Sequence, residues 1–193
     1  MRIKKLNLKN FRGFKELEIK FPGSNLVVFV GINGSGKSSI LDCLAMFLSQ
    51  FVTELCSKSS RGNEFVISDS DINIESEETS NIITIDRIHH PLESDNTFSW
   101  MLVKSRSPGK GRFTYPTTPS LYCSQVYEKI SKNPGLNLTV LAYYQNQKIF
   151  PGNPAKLKKK EYEFNQFYAY EHAFKKGVQD FNDFITWFRL EED

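Results

Sequence analysis

Gly31-Ile32-Asn33-Gly34-Ser35-Gly36-Lys37-Ser38-Ser39 is the stretch that decides the fold. Gly31, Gly36, Lys37 and Ser38 fill the spacing GxxxxGK[ST] without deviation. Each position has a physical reason. Glycines let the backbone turn tightly, partly at positive φ, and approach a phosphate with no Cβ in the way. Successive amide N–H groups then point inward as an anion nest. A helix that starts near Lys37 adds the positive end of its dipole. Lys37 brings a mobile cation to the β- and γ-phosphates, and the Ser38 hydroxyl is a hard oxygen ligand of the kind Mg²⁺ prefers. Asn33, Gly34, Ser35 and Ser39 complete the candidate cradle. The expected ligand is ATP with Mg²⁺, or a closely related nucleoside triphosphate.

The flanks fit a strand–loop–helix unit. Leu26-Val27-Val28-Phe29-Val30 is a continuous apolar run, the pattern of a strand buried on both faces. Beyond the loop, Ile40, Leu41, Leu44, Phe47, Leu48, Phe51, Val52 and Leu55 recur at three- and four-residue spacing. That periodicity predicts an amphipathic helix of roughly four to five turns, at ~3.6 residues each. Upstream, residues 1–21 alternate apolar and polar with a break at Gly13, which predicts a hairpin. Downstream, strands are expected at Asp71–Ile74, 81–89, 97–105 and Leu136–Tyr144, and a helix at Leu121–Lys132. Residues 105–120 and 145–160 read as loops with basic side chains. The tail from Glu161 to Asp193 reads as helical, with aromatic residues from Phe164 to Phe188 at near-helical spacing. Such a stripe is the signature of a packing face more than of base stacking.

The chain has 193 residues, 39% hydrophobic and 24% charged, which excludes a disordered polymer and suits one domain. A net charge of +3 is too small to argue for nucleic acid. Cys43, Cys56 and Cys123 are odd in number and include no CxxC pair, which points to a reducing compartment. No signal-peptide pattern follows Met1, and no apolar stretch is expected to approach the ~20 residues of a membrane span. A cytoplasmic protein that does not enter a membrane is therefore expected. His89, His90 and His172 have no metal spacing.

Ile3-Lys4-Lys5-Leu6-Asn7-Leu8-Lys9-Asn10-Phe11-Arg12-Gly13-Phe14, followed by Asn33-Gly34-Ser35-Gly36-Lys37-Ser38, resembles the opening of RecF, RecN and SMC-type ABC ATPases. Ser39-Ile40-Leu41-Asp42-Cys43-Leu44 resembles the helix that follows in those proteins. Val140-Leu141-Ala142-Tyr143-Tyr144 and the segment Phe181–Asp193 are similar to bacterial anti-phage defence ATPases of the retron-associated and Septu PtuA type. The resemblance implies an α/β P-loop NTPase fold, as an ABC-type N-terminal lobe with a mixed sheet, an antiparallel strand subregion and a helical extension. Residues 1–58 would hold the hairpin, loop strand and helix, 59–115 the antiparallel strands, and 116–193 a helical region with one buried strand. It also implies ATP-dependent assembly into a homodimer or higher oligomer, a nuclease partner, and Arg12 near the nucleotide phosphates. Gln147, with Gln145 as its rival, would sense Mg²⁺ and the γ-phosphate. The residue-level alternative for Arg12 is a solvated arginine at a strand end.

Hydrolysis in that family needs an apolar-Asp-Glu motif, whose Glu polarises the attacking water, and a Ser-Gly-Gly signature. Neither is present, and Ile82-Ile83-Thr84-Ile85-Asp86 is followed by Arg87 and suits an antiparallel strand. The expectation is a first lobe that binds nucleotide and forms a complete hydrolytic site only with a second lobe, on a longer chain or a partner. Four functions stay open: a defence switch controlling a nuclease, a repair ATPase acting directly on DNA, a small-molecule kinase, for which no acceptor-site residues stand out, and a nucleotide-binding scaffold without turnover. Lys104, Arg106, Lys110 and Arg112, with Lys156–Lys160, are the candidate contacts for DNA or RNA; a solvated surface is the alternative.

Overall fold

The computed structural model describes residues 1–56, 65–86, 97–107, 119–133, 139 and 141–144. In chain order these form β1 (Arg2–Phe11), β2 (Phe14–Lys20), α1 (Lys37–Cys56), a 3₁₀ turn (Asp69–Asp71), β3 (Glu78–Asp86), β4 (Thr97–Ser105) and α2 (Ser120–Lys132). The four strands form one sheet in the order β2-β1-β3-β4, with every neighbouring pair antiparallel.

Alternation sets the sheet's two faces. Leu6 and Leu8 of β1, Ile83 and Ile85 of β3, and Phe98 and Trp100 of β4 are buried. The register brings Leu6 opposite Ile83, Ile83 opposite Trp100 and Ile85 opposite Phe98. One apolar face results, as the period of two requires. Two polar residues share it. Thr79 donates to Lys9 O at 2.9 Å, and Asn81 Nδ2 donates to Thr79 Oγ1 at 3.1 Å, so neither is buried without a partner.

Helix α1 covers that face. Phe47 meets Trp100 edge-on at 5.8 Å, and Phe51 meets Tyr122 of α2 at 5.7 Å. Tyr122 also stacks on Phe98 at 5.4 Å, so α2 closes the same core from the side. Each such buried aromatic contributes about 1.5–3 kcal/mol of transfer free energy. The α1 window Lys37–Leu55 has a mean hydropathy of 1.2, long and apolar enough by length and composition to cross a membrane. This corrects the expectation that no stretch reaches that length. Here the helix is the core element, with Cys43, Phe47, Phe51 and Leu55 buried.

The hairpin, β4 and both helices lie where they are expected, and the strand expected at 81–89 is β3, which begins at Glu78, with 87–89 outside the described residues. Three strand expectations are corrected. Leu26–Val30 forms no strand, and Leu26, Val28 and Val30 are exposed. A ladder needs neighbours, and no described segment pairs with this run. Asp71–Ile74 is a 3₁₀ turn followed by one isolated bridge, Ile72 to Phe11. Its polar side chains bond locally instead: Ser68 N and Oγ both donate to Asp71 Oδ2 at 2.8 Å. Of Leu136–Tyr144, residues 139 and 141–144 are described and carry no strand. Gln145, Gln147, the Lys156–Lys160 run, the histidines and the aromatic tail lie outside the described residues.

Candidate nucleotide site

The loop sits where β1 and β2 turn. Asn10 and Arg12 adopt φ of 54° and 48°, flanking buried Phe11. Left-handed backbone at a residue such as arginine costs of order 1–3 kcal/mol and persists only where surroundings over-determine it. Here they do. Arg12 N donates to Asp71 O at 2.8 Å, Asn73 N donates to Asn10 O at 2.8 Å, and Asn73 Nδ2 donates to Arg12 O at 2.7 Å. The turn thereby delivers Phe14 onto the phosphate loop. A Cβ placed on Gly36 would meet the Phe14 ring at 2.3 Å. Gly36 is required twice, by that ring and by its φ of 89°. Gly34 has φ 83°, and a Cβ on Gly31 would meet Ser35 Oγ at 2.9 Å.

Lys37 folds back over the loop. Its Nζ donates to Gly31 O and Ile32 O, both at 2.7 Å, with Ser35 Oγ at 3.4 Å. Helix α1 begins at Lys37, and its first intrahelical bond runs from Ile40 N to Gly36 O at 3.0 Å. The N–H groups of the first turn, at Ser38 and Ser39, have no intrahelical acceptor, and Ser38 is exposed. Turned glycines, free amides, a cation held over the loop and an exposed Ser38 hydroxyl form one cradle. Its donor set fits a polyphosphate with a hard divalent cation.

Arg12 is not a solvated strand-end residue. Its Nη1 donates to Asp42 Oδ2 at 2.5 Å and its Nε to Asp71 Oδ1 at 2.8 Å. Burial alone would lower the guanidinium pKa, but the bonds to Asp42 and Asp71 outweigh it and the pKa is raised. The side chain also lies over the Phe11 ring, 5.3 Å from its centroid. The Tyr143 hydroxyl donates to Asp42 Oδ1. Burial, and then this hydrogen bond, push the Tyr143 pKa up, so the phenol stays a donor. Asp42, Asp71, Asn73 and Tyr143 were not singled out by the motif. The one signal in the sequence is that Asp42 follows Ser38 by four residues, which stacks the two on one helix face.

Other candidates resolve into structural roles. Asp86 pairs with Lys4 at 3.2 Å on an antiparallel strand, as the alternation predicts. Lys104 pairs with Asp69 at 3.2 Å, and Arg106 donates to Ile72 O and Ser76 O, both at 3.2 Å. These two basic residues brace the turn before β3. Cys43 is buried and its thiol pKa is pushed up by that burial, which removes it as a nucleophile. Among the described residues no cluster of three or more His, Cys, Asp or Glu side chains could hold a metal.

A family model described as an AAA domain matches residues 5–188. The chain belongs to the AAA domain family. A retron Vc95 "probable ATPase" of Vibrio cholerae is 26% identical over 200 residues, covering 100% of this AAA domain chain and 38% of that protein. The chain thus spans well under half the length of that relative. A RecF DNA replication and repair protein of Rickettsia conorii is 45% identical over 42 residues, 22% of this chain and 11% of its own. The Rad50 double-strand break repair ATPase of Methanosarcina mazei is 38% identical over 69 residues, 36% of this chain and 6% of its own. Among solved structures, an SMC ATPase chain covers 73% of this chain and 86% of its own at 18% identity and a TM-score of 0.34. The Gly31–Ser39 loop of this AAA domain carries the phosphate-loop spacing GxxxxGK[ST].

Proposed function

We propose that the Gly31–Ser39 loop binds ATP-Mg²⁺, and that the chain is the N-terminal lobe of a RecF/SMC-like ABC ATPase. Nucleotide-dependent dimerisation and hydrolysis act as a switch in anti-phage defence, controlling an associated nuclease. The observation that carries the nucleotide assignment is the loop itself, with glycines at positive φ, amides free at the α1 N-terminus and Lys37 Nζ over the loop. Lys37 holds the phosphates and takes part in turnover, Ser38 ligates the cation, and Arg12 contributes from the hairpin. Gln147, from the segment after Tyr144, completes the cation site and acts in catalysis. Bound Mg²⁺ supplies charge neutralisation for phosphoryl transfer. The Vibrio relative, a retron ATPase by name, supports the defence reading along the whole of this chain. A cytoplasmic location follows from the same reading.

A titration of the full protein with a fluorescent ATP analogue and Mg²⁺ tests the assignment. Lys37→Ala is expected to abolish binding and turnover while leaving the fold intact, because Lys37 bonds only loop atoms. Undiminished affinity in that variant removes the assignment. For the switch, cells carrying the intact system are expected to lose protection from phage with the same substitution.

The RecF and Rad50 relatives favour a second reading, direct action on DNA. It predicts DNA-stimulated turnover and binding that falls steeply with salt. Engagement of Lys104 and Arg106 in bracing contacts weighs against those two residues as the DNA surface. ATP-dependent oligomerisation without phosphate release would single out a scaffold instead.

A further inference from the structure

We propose that Asp42 is a positioning residue of this site: one carboxylate oxygen fixes the Arg12 guanidinium and the other takes the Tyr143 hydroxyl, one helical turn beyond Ser38. The inference rests on the nucleotide reading of the loop.

Four separate segments meet around the Arg12–Asp42 pair. Arg12 comes from the strained hairpin turn, Asp42 from α1, Asp71 from the 3₁₀ turn and Tyr143 from the segment after α2. A carboxylate has lone pairs for both donors at once. Arg12 Nε and Nη1 are taken by Asp71 and Asp42, which fixes the plane of the guanidinium. Its Nη2 has no hydrogen-bond partner among the described residues. Two carboxylates surround a single guanidinium, so Arg12 cannot draw an anion by net charge. It acts by presenting a directed N–H donor, and Asp42 and Asp71 set that direction.

The location gives the arrangement its use. Residues four apart on a helix lie ~5–6 Å apart at Cβ, which makes Asp42 a neighbour of Ser38 on one face of α1. Phe14, two residues beyond Arg12, touches Gly36 of the loop. The hairpin therefore reaches the loop at two points, through an apolar contact at Gly36 and an ionic one at Asp42. Tyr143 adds a third connection. It stands two residues before Gln145 and four before Gln147, so Asp42 ties the loop helix to the segment leading into both.

The test is a double-mutant cycle on the full protein, read by titration with a fluorescent ATP analogue and Mg²⁺ beside thermal unfolding without nucleotide. Arg12→Ala and Asp42→Asn are each expected to weaken binding by about ten-fold, the scale of one hydrogen bond to a charged group. Because Asp42 acts through Arg12, the double variant should bind no worse than Arg12→Ala. Tyr143→Phe should weaken binding by about three-fold, as a neutral donor would. Independent, multiplying losses in the double variant would overturn the proposal, as would wild-type affinity in folded Asp42→Asn. Should Asp42→Asn not fold, Tyr143→Phe decides, and wild-type affinity there overturns it. Retained binding in Lys37→Ala would instead remove the nucleotide reading, whatever the cycle shows.

Discussion

The two flanks of the phosphate loop are both apolar, yet only one is buried. Downstream, α1 places Cys43, Phe47, Phe51 and Leu55 at 4% exposure or less. Upstream, Leu26, Val28 and Val30 are 76%, 69% and 90% exposed. Hydrophobicity does not separate them, because both runs carry enough of it. Backbone chemistry does. A helix satisfies its own amides and needs only one face covered. A strand needs a neighbour for every second amide and, in a fully apolar run, cover on both faces. The helix is therefore complete with the four-stranded sheet, whereas Leu26–Val30 finds no ladder among the described residues. Only Phe29 of that run is half-buried, meeting Phe21 edge-on at 6.4 Å.

The contrast predicts its largest effect on the helical side. Phe47 is fully buried against Trp100. Phe47→Ala should cost about 3–5 kcal/mol, as aromatic-to-alanine changes in packed cores do. Chemical denaturation of the chain measures it. A cost under ~1 kcal/mol would mean that α1 is not the core helix and that the two flanks do not differ.

What the sequence made legible follows from the same distinction. Period-two alternation located the hairpin and β3, and period 3.6 located α1, because each pattern is local. The loop was legible from its spacing, and the positive φ expected of its glycines is found at Gly34 and Gly36, at 83° and 89°. The surroundings of Arg12 were not legible. Its partners lie 30 and 59 residues away at Asp42 and Asp71, and Tyr143 is 101 residues from Asp42. No periodicity joins those positions. The 3₁₀ turn was missed because Ser68 and Asp71 bond each other in place of a ladder. The contact between Phe14 and Gly36 explains why an aromatic stands at that place in the hairpin, but the motif alone does not say what it touches.

Gly36 stands at the junction of the two flanks. Alanine there meets both a positive φ and the Phe14 ring. Gly36→Ala should cost about 1–3 kcal/mol of stability, through strain at a special φ, and should also cost nucleotide binding. Adding Phe14→Leu, which shortens the obstructing side chain, should recover part of the stability but none of the φ strain. Full recovery in the double variant would show that the ring alone requires the glycine.

The smallest effect belongs upstream, and it probes the comparison most directly. Val28 is 69% exposed and outside any strand, so Val28→Ala should change stability by less than about 0.5 kcal/mol. Ile83, at 0% exposure and paired on both sides in β3, provides the control, and Ile83→Ala should cost about 2–5 kcal/mol. Hydrogen exchange separates the same positions without mutation. Amides of Leu6, Leu8, Ile83 and Ile85 should be protected to near the global limit, and those of Leu26 to Val30 should exchange fast. If Val28→Ala cost as much as Ile83→Ala, or its amides were equally protected, the run would have found flanking strands outside the described residues. The pattern at Leu26–Val30 would then be a demand met from elsewhere, and the two flanks of the loop would differ only in which part of the protein covers them.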